Sequence, residues 1–162
     1  MASFVRSIRP VMPMFSRRLP SVVAKRNYAD EMAFTFAAAN QVFYDNVSVK
    51  QVDVPSFSGS FGILPKHVPT LAVLKPGVVT VYENDGGSKK IFVSSGTVTI
   101  NDDSSVQVLA EEACLVEHLD VSAARDVLSK AQSELSSAST DQAKAEAAIA
   151  VEVGEALVKA AE

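Results

Sequence analysis

The apolar residues of this chain change period once, near residue 119, and that change limits the architecture more than any other feature. From about residue 31 to 118 the spacing is two. Phe34 and Phe36 flank Thr35, Val47 and Val49 flank Ser48, and Val79 and Val81 flank Thr80. Ile91 and Val93 flank Phe92, Val98 and Ile100 flank Thr99, and Val106 and Val108 flank Gln107. Such alternation, rich in β-branched residues and recurring at short intervals, predicts half-buried strands of a sandwich or barrel. The punctuation agrees. Asn84-Asp85-Gly86-Gly87, Asn101-Asp102-Asp103-Ser104 and Pro76-Gly77 read as turns, because these residues tolerate turn geometry.

Beyond Leu119 the period becomes 3.6. Val121, Ala124, Leu128, Ala131 and Leu135 lie on one helical stripe, with Asp120 placed to cap it. Ser136 to Ser139 break the pattern, and Ser139 with Gln142 forms the spacing of a capping box for a second helix over about 140–160. Its stripe is Ile149, Val153, Ala156 and Ala160, with Gly154 weakening the helix by about 1 kcal/mol relative to Ala. The short connection makes the two helices antiparallel neighbours. All seven prolines precede residue 77, which suits a helical C-terminal part. The fold class is therefore α+β: an N-terminal β-sandwich or barrel followed by a helical hairpin. The division is 1–28, 29–118 and 119–162.

Charge separates the first part. Residues 1–28 hold six of the fifteen basic side chains (Arg6, Arg9, Arg17, Arg18, Lys25 and Arg26) and no acid. The remainder keeps nine bases against nineteen acids, a balance of −10. An Arg-rich, acid-free start with interleaved Ser and apolar residues has the composition of a mitochondrial transit peptide. Arg26-Asn27-Tyr28-Ala29 resembles a matrix processing site, so the mature chain is expected to start near Ala29. A nucleic-acid-binding arm is disfavoured because the acidic body would repel phosphates.

Chemistry is sparse. A single cysteine, Cys114, excludes an intrachain disulfide and a multi-cysteine zinc site, and it reads as a small core residue. No nucleophile–base pair, phosphate loop or dinucleotide fingerprint is present. Glu111, Glu112, Glu117 and Asp120 suit a solvated edge better than a carboxylate pair. No catalytic residue, metal or cofactor is expected. One segment stands out: Gly59-Ser60-Phe61-Gly62-Ile63-Leu64-Pro65-Lys66-His67-Val68-Pro69-Thr70-Leu71. Two glycines and two prolines restrict what reads as a loop, and Phe61, Ile63 and Leu64 are apolar where a surface connection is expected. It can plug the end of the barrel or present a stiff docking edge.

That segment, with Leu74-Lys75-Pro76-Gly77, Phe92-Val93-Ser94-Ser95-Gly96 and Val108 to Ala113, resembles the delta/epsilon family of F-type ATP synthase central-stalk subunits. The likeness spans about residues 30–162. It implies a flattened β-sandwich seated against the proteolipid c-ring and clasping the gamma subunit, with the small mitochondrial epsilon subunit as a further partner. It implies a non-catalytic rotor subunit on the matrix side of the inner membrane, transmitting rotation for ATP synthesis. The ring- and stalk-facing residues would be Ser60, Phe61, Gly62, Ile63, Leu64 and His67, with Gly59, Pro65 and Pro69 shaping the loop. Two departures matter. Ser60 stands where many bacterial relatives carry an acid. The nucleotide motif some of them use, Ile/Leu-Asp-x-x-Arg, is broken because Leu119-Asp120 is followed by Arg125, about 200° out of place at ~100° per residue. No nucleotide binding is expected. A free-standing matrix β-sandwich that binds a small ligand is the rival reading. A small enzyme using Glu112, Glu117 or His118 is a third.

Overall fold

The structure is a computed structural model and describes residues 32–162; the expected transit segment 1–28 and the start at Ala29 lie outside the described residues. Nine strands come first: β1 (Met32–Ala38), β2 (Val42–Ser56), β3 (Gly59–Ile63), β4 (Thr70–Leu74), β5 (Gly77–Glu83), β6 (Ser88–Val93), β7 (Gly96–Ile100), β8 (Val106–Ala110) and β9 (Ala113–Leu115). A short 3-10 turn (Val116–His118) leads into α1 (Val121–Ser137) and α2 (Asp141–Ala161).

β2 organises the sheet. It is 15 residues long and pairs in succession with β1, with β3 and β5 on opposite sides, and with β4 at Ser56. The path β1-β8-β7-β4-β2 closes because β2 also pairs with β1. Closure removes the exposed edges that an open sheet must protect. β5, β6 and β9 extend the sheet from the other side of β2. Alternate residues turn inward, and Phe34, Phe36, Val79, Val81, Ile91, Val93, Val98 and Val108 are fully enclosed in one core. The aromatic pair Phe34–Tyr44, with ring centroids 5.3 Å apart, fills one end.

The alternation fails at Val47, which is 43% exposed while Val49 is buried. Asn46 takes a positive φ of 52°, and the β1–β2 register shifts between Phe34 and Phe36. The resulting bulge tilts Val47 away from the core. The turns behave as their residues suggest. Gly86 has φ 92°, its N–H donates to the Glu83 carbonyl, and Asp85 Oδ1 accepts from Gly87 N–H at 2.8 Å.

In the hairpin, Asp120 caps α1 by accepting from the Ser122 and Ala123 N–H groups. Ala124 and Ala131 are buried, as the stripe requires. α2 differs from expectation at two points. Its cap is Thr140, which accepts from Ala143 N–H at 3.1 Å, so Ser139 and Gln142 form no capping box; Gln142 donates to Glu146 instead. With the cap one residue later, the third helical position is Ala143, whose methyl group cannot return the bond. Ile149 is 62% exposed, and the buried residues are Ala147 and Gly154. Gly154 explains the rotation: a Cβ there would lie 3.1 Å from the Leu128 Cα. The helices approach closely at Gly154, where α2 has no side chain, and that contact favours this face turning inward. α2 rests on β5 and the 3-10 turn, but most hairpin contacts are internal.

Candidate functional site

The Gly59–Pro69 segment is only partly the loop expected of it. Gly59–Ile63 is strand β3, antiparallel to the end of β2, with Val52 opposite Ile63, Asp53 opposite Gly62, Val54 opposite Phe61 and Pro55 opposite Ser60. Phe57 and Ser58 make the turn between them, and Gly59 takes φ 122°, a conformation glycine accepts freely. The turn is fixed from inside. Buried Ser56 donates its hydroxyl to the Gly59 carbonyl at 2.8 Å and shares a hydrogen bond with the Ser58 hydroxyl.

Strand geometry then sorts the expected site residues by parity. Ile63 is fully buried in the core and Phe61 packs partly against it. Ile63 is therefore a plug and presents no side chain to a partner, contrary to its place among the expected contact residues. Ser60 and Gly62 face outward and are exposed, and Leu64 just beyond β3 is 53% exposed. One short strand serves as both plug and outward edge, because consecutive residues point to opposite faces.

The true loop runs over residues 64–69. His67 N–H donates to the Leu64 carbonyl at 3.1 Å, closing a turn in which Pro65 is half-buried and Lys66 has φ 64°. Lys66 N–H donates to Ser104 Oγ at 3.2 Å, which ties the loop to the β7–β8 turn. The His67 ring lies 6.0 Å from that of Phe61, tilted by 31°, and its Nδ1 is 2.9 Å from the Val68 carbonyl oxygen. Pro69 is exposed and leads into β4.

A broad apolar surface adjoins this loop. Val73 of β4 pairs with Thr97, Thr97 with Leu109, and Leu109 with Ala37, a row running across four strands. Leu71 begins a second row through Thr99 and Gln107. Leu71 is 74% exposed, Leu109 56% and Val73 54%. Phe57, whose N–H donates to the Val73 carbonyl, and Val68 extend the patch, each 70% exposed. Val68 and Leu71 belong to the segment that stands out in the sequence, whereas alternation does not mark Phe57, Val73 and Leu109. The available signal was the unbroken apolar run Leu71-Ala72-Val73-Leu74: a strand apolar on both faces is covered on both.

The chemistry-bearing residues are otherwise occupied. Tyr44 donates its hydroxyl to Glu83 at 2.9 Å, and Lys89 pairs with Glu83 at 3.0 Å. Burial, then the Glu83 contact, holds the Tyr44 phenol well above its ordinary range, and Lys89 with Tyr44 holds the Glu83 carboxyl below its own. Arg125 is engaged by Glu162 at 2.8 Å. Glu117 and His118 are exposed on the 3-10 turn. Cys114 is half-buried rather than part of the core; burial, with Glu112 nearby, raises its thiol pKa. It lines an open cleft of about 540 Å³ between the sandwich and α2, with Phe92, Val153 and Leu157 among the walls. Asn40 and Ser94 in that cleft both donate to sandwich carbonyls, of Ala113 and Glu112. No group of three metal-ligating side chains, and no helix long and apolar enough to cross a membrane, occurs among the described residues.

Comparison with known proteins bears on the fold and the family. The family model for the beta-sandwich domain of the ATP synthase delta/epsilon chain matches residues 31–116. That for the C-terminal domain of the metazoan delta subunit of F1F0-ATP synthase matches 119–160. The mitochondrial ATP synthase subunit delta of Caenorhabditis elegans is 50% identical over 151 residues, covering 87% of this chain and 92% of that one. Its counterpart in Saccharomyces cerevisiae is 38% identical, covering 93% and 96%. A chain in the Euglena gracilis mitochondrial ATP synthase structure (OSCP/F1/c-ring) superimposes with a TM-score of 0.76 at 21% identity, over 97% of this chain and 100% of that one, which shows the shared fold. Two successive family models and relatives matched along nearly their whole length lead to one conclusion: this chain belongs to the delta/epsilon family of ATP synthase subunits.

Proposed function

We propose that the chain is a non-catalytic rotor subunit of the mitochondrial proton-translocating ATP synthase, on the matrix side of the inner membrane. It joins the proteolipid ring to the gamma subunit and transmits rotation between them. Its relatives carry the name ATP synthase subunit delta, mitochondrial, and a structural neighbour comes from a central stalk and c-ring assembly of Tetrahymena thermophila. The observation that carries the mechanical reading is the pairing of a closed sheet around one buried core with an exposed apolar surface on β4 and β8. Torque transmission needs a body that does not deform, and interiors packed to crystal density resist deformation. It also needs broad attachment, and an apolar patch of this kind marks a protein contact.

Two attachments divide the surface. The outward edge of β3 and its loop (Ser60, Gly62, Leu64 and His67, held by Gly59, Pro65 and Pro69) meets the ring. Phe61 supports that edge from beneath and Ile63 anchors it in the core. The apolar rows through Leu71, Val73 and Leu109 pack on the gamma subunit. The small epsilon subunit of the mitochondrial complex is a further partner. Residues 1–28 direct import and are removed near Ala29, and the mature chain divides into 29–118 and 119–162.

Photo-crosslinking in the intact detergent-solubilised complex tests this. A photoreactive residue at Ser60 is expected to reach a proteolipid subunit, and one at Leu71 the gamma subunit. Recovery of both variants as free soluble chains would overturn the reading. Gly62→Val gives a second test. The new Cβ meets Asp53 Oδ1 at 2.8 Å, the movable end of a side chain, so β3 can keep its place while its outward face changes. ATP-driven proton pumping is expected to fall although the chain still folds; unimpaired pumping would count against the assignment of this edge.

A further inference from the structure

Two turns of the sandwich share one hydrogen-bond pattern and differ at its left-handed residue. In the β5–β6 turn, Glu83 N–H donates to the Gly87 carbonyl at 2.9 Å, Gly86 N–H to the Glu83 carbonyl at 3.2 Å and Gly87 N–H to Asp85 Oδ1 at 2.8 Å. In the β7–β8 turn, Asn101 N–H donates to the Ser105 carbonyl at 2.9 Å, Ser104 N–H to the Asn101 carbonyl at 3.2 Å and Ser105 N–H to Asp103 Oδ1 at 2.9 Å. The left-handed position is Gly86 in the first, at φ 92°, and Ser104 in the second, at φ 66°. Glycine accepts that conformation freely, and serine only against strain. What the serine adds is a hydroxyl, and its oxygen accepts from Lys66 N–H at 3.2 Å. Lys66 is the third residue of the turn from Leu64 to His67, with Pro65 before it and φ 64°. Proline second and positive φ third is the type II pattern, whose third place usually goes to glycine or asparagine. That turn's own bond uses His67 N–H, which leaves Lys66 N–H to an acceptor outside the turn. Two left-handed residues that are not glycine thus meet across one hydrogen bond. The β7–β8 side is a firm anchor: Ser105 Oγ donates to Asp103 Oδ1 at 2.6 Å and accepts from Asn101 Nδ2 at 2.8 Å.

We propose that Ser104 is a positioning residue for the loop that meets the ring: its hydroxyl holds Lys66 N–H and so fixes where Leu64 and His67 stand. The loop gains from an external hold. Leu64, Val68 and Pro69 are exposed, and the loop packs through half-buried Pro65 and the His67 ring beside Phe61. A docking element that is already ordered loses less freedom when it binds. Glycine at position 104 would give the turn an easier backbone but no oxygen for Lys66; serine gives up some backbone ease and holds the loop. The inference rests on the ring-facing assignment of that loop.

Ser104→Gly and Ser104→Ala test it together, because both lose the hydroxyl and only the first relieves the strain. In the full chain, the thermal midpoint is expected to stay level or rise with Ser104→Gly and to fall with Ser104→Ala. Hydrogen exchange followed by nuclear magnetic resonance reads the tether itself. The Lys66 amide is expected to exchange roughly two- to ten-fold faster in both variants, the factor to which the net strength of one ordinary hydrogen bond converts. The amide at position 104 is expected to keep its protection. In the intact detergent-solubilised complex, ATP-driven proton pumping is expected to fall with both, whereas a merely structural role would spare the variant that is no less stable. Unchanged Lys66 exchange would overturn the proposal. So would a Ser104→Gly chain that melts lower with exchange raised throughout the sandwich, or one that pumps in full. A photoreactive residue at Leu64 of the otherwise unsubstituted complex separates the two failures. If Leu64 reaches a proteolipid subunit and Ser104→Gly pumps in full, the positioning role is wrong and the loop assignment stands. If Leu64 does not reach the ring, both fall.

Discussion

Nineteen buried residues drawn from all nine strands meet in one core in the sandwich, whereas the hairpin buries only Ala124, Ala131, Ala147 and Gly154. The first region is held by large side chains fully removed from water, each worth about 1.5–3 kcal/mol. The second is held by close backbone approach, capping and a seat on β5 and the 3-10 turn. Small residues at the helix contact give little transfer free energy, so helix pairing there depends on fit. The two regions thus differ in kind: the sandwich encloses a large core of its own, whereas the hairpin buries only small residues.

The comparison is broken most severely by separating the regions. Residues 32–118 alone are expected to fold cooperatively, with strand-type circular dichroism and a sharp thermal transition. A peptide of residues 119–162 is expected to be largely unfolded, because isolated helices of this length are marginal in water. A stable isolated hairpin would remove the distinction. The next largest effects fall inside the sandwich. Phe34→Ala is expected to cost about 3–5 kcal/mol in chemical denaturation, as large aromatic truncations in packed cores do. Gly96→Ala is expected to be comparably damaging: Gly96 has φ 155° and its Cβ would collide with the Leu109 carbonyl oxygen.

Gly154→Val probes the hairpin by its own logic. The added side chain meets the Leu128 backbone, which cannot move without parting the helices. A loss of about 1–3 kcal/mol is expected for the full chain. Hydrogen exchange is expected to place the loss in α1 and α2 and leave protection of β5 and β7 unchanged. Uniform loss across both regions would show that they unfold as one unit.

Legibility in the sequence followed the same division. Strands were visible because Phe34/Phe36, Val79/Val81 and Ile91/Val93 alternate cleanly, and one buried face imposes that period. α1 was visible because its stripe and Asp120 agree. The inward face of α2 was only partly visible: an Ala-rich helix offers little contrast between faces, so Val153, Ala156 and Ala160 of the expected stripe are half-buried while Ile149 is exposed. What decides that face is the space beside Leu128, a property of the partner helix. The site was half legible. Gly59 to Pro69 was unusual in sequence, but its inward and outward residues could not be separated until β3 was known to be a strand.

The smallest expected effects concern ionic contacts at the periphery of each region. Arg125 and Glu162 clasp the start of α1 to the end of α2 at 2.8 Å, yet both side chains are more than half exposed. Solvent screening leaves Arg125→Ala a cost of about 0.2–1 kcal/mol, removed by added salt. The Tyr44–Glu83–Lys89 contact behaves differently because one member is buried. The Glu83 carboxyl is held below its ordinary range by Lys89 and then Tyr44, so its contribution is present above that range and is lost as pH falls through the lowered value. The Tyr44 phenol is raised by burial, so its contribution is present below the ordinary phenol pKa and is lost as pH climbs through the raised one. Glu83→Gln is therefore expected to flatten the acid limb of stability against pH. Tyr44→Phe is expected to flatten the alkaline limb, with the hairpin's exchange rates unchanged in both variants. If either substitution alters the hairpin, the contact reaches across the boundary, and the sandwich supports the helices through more than the seat on β5.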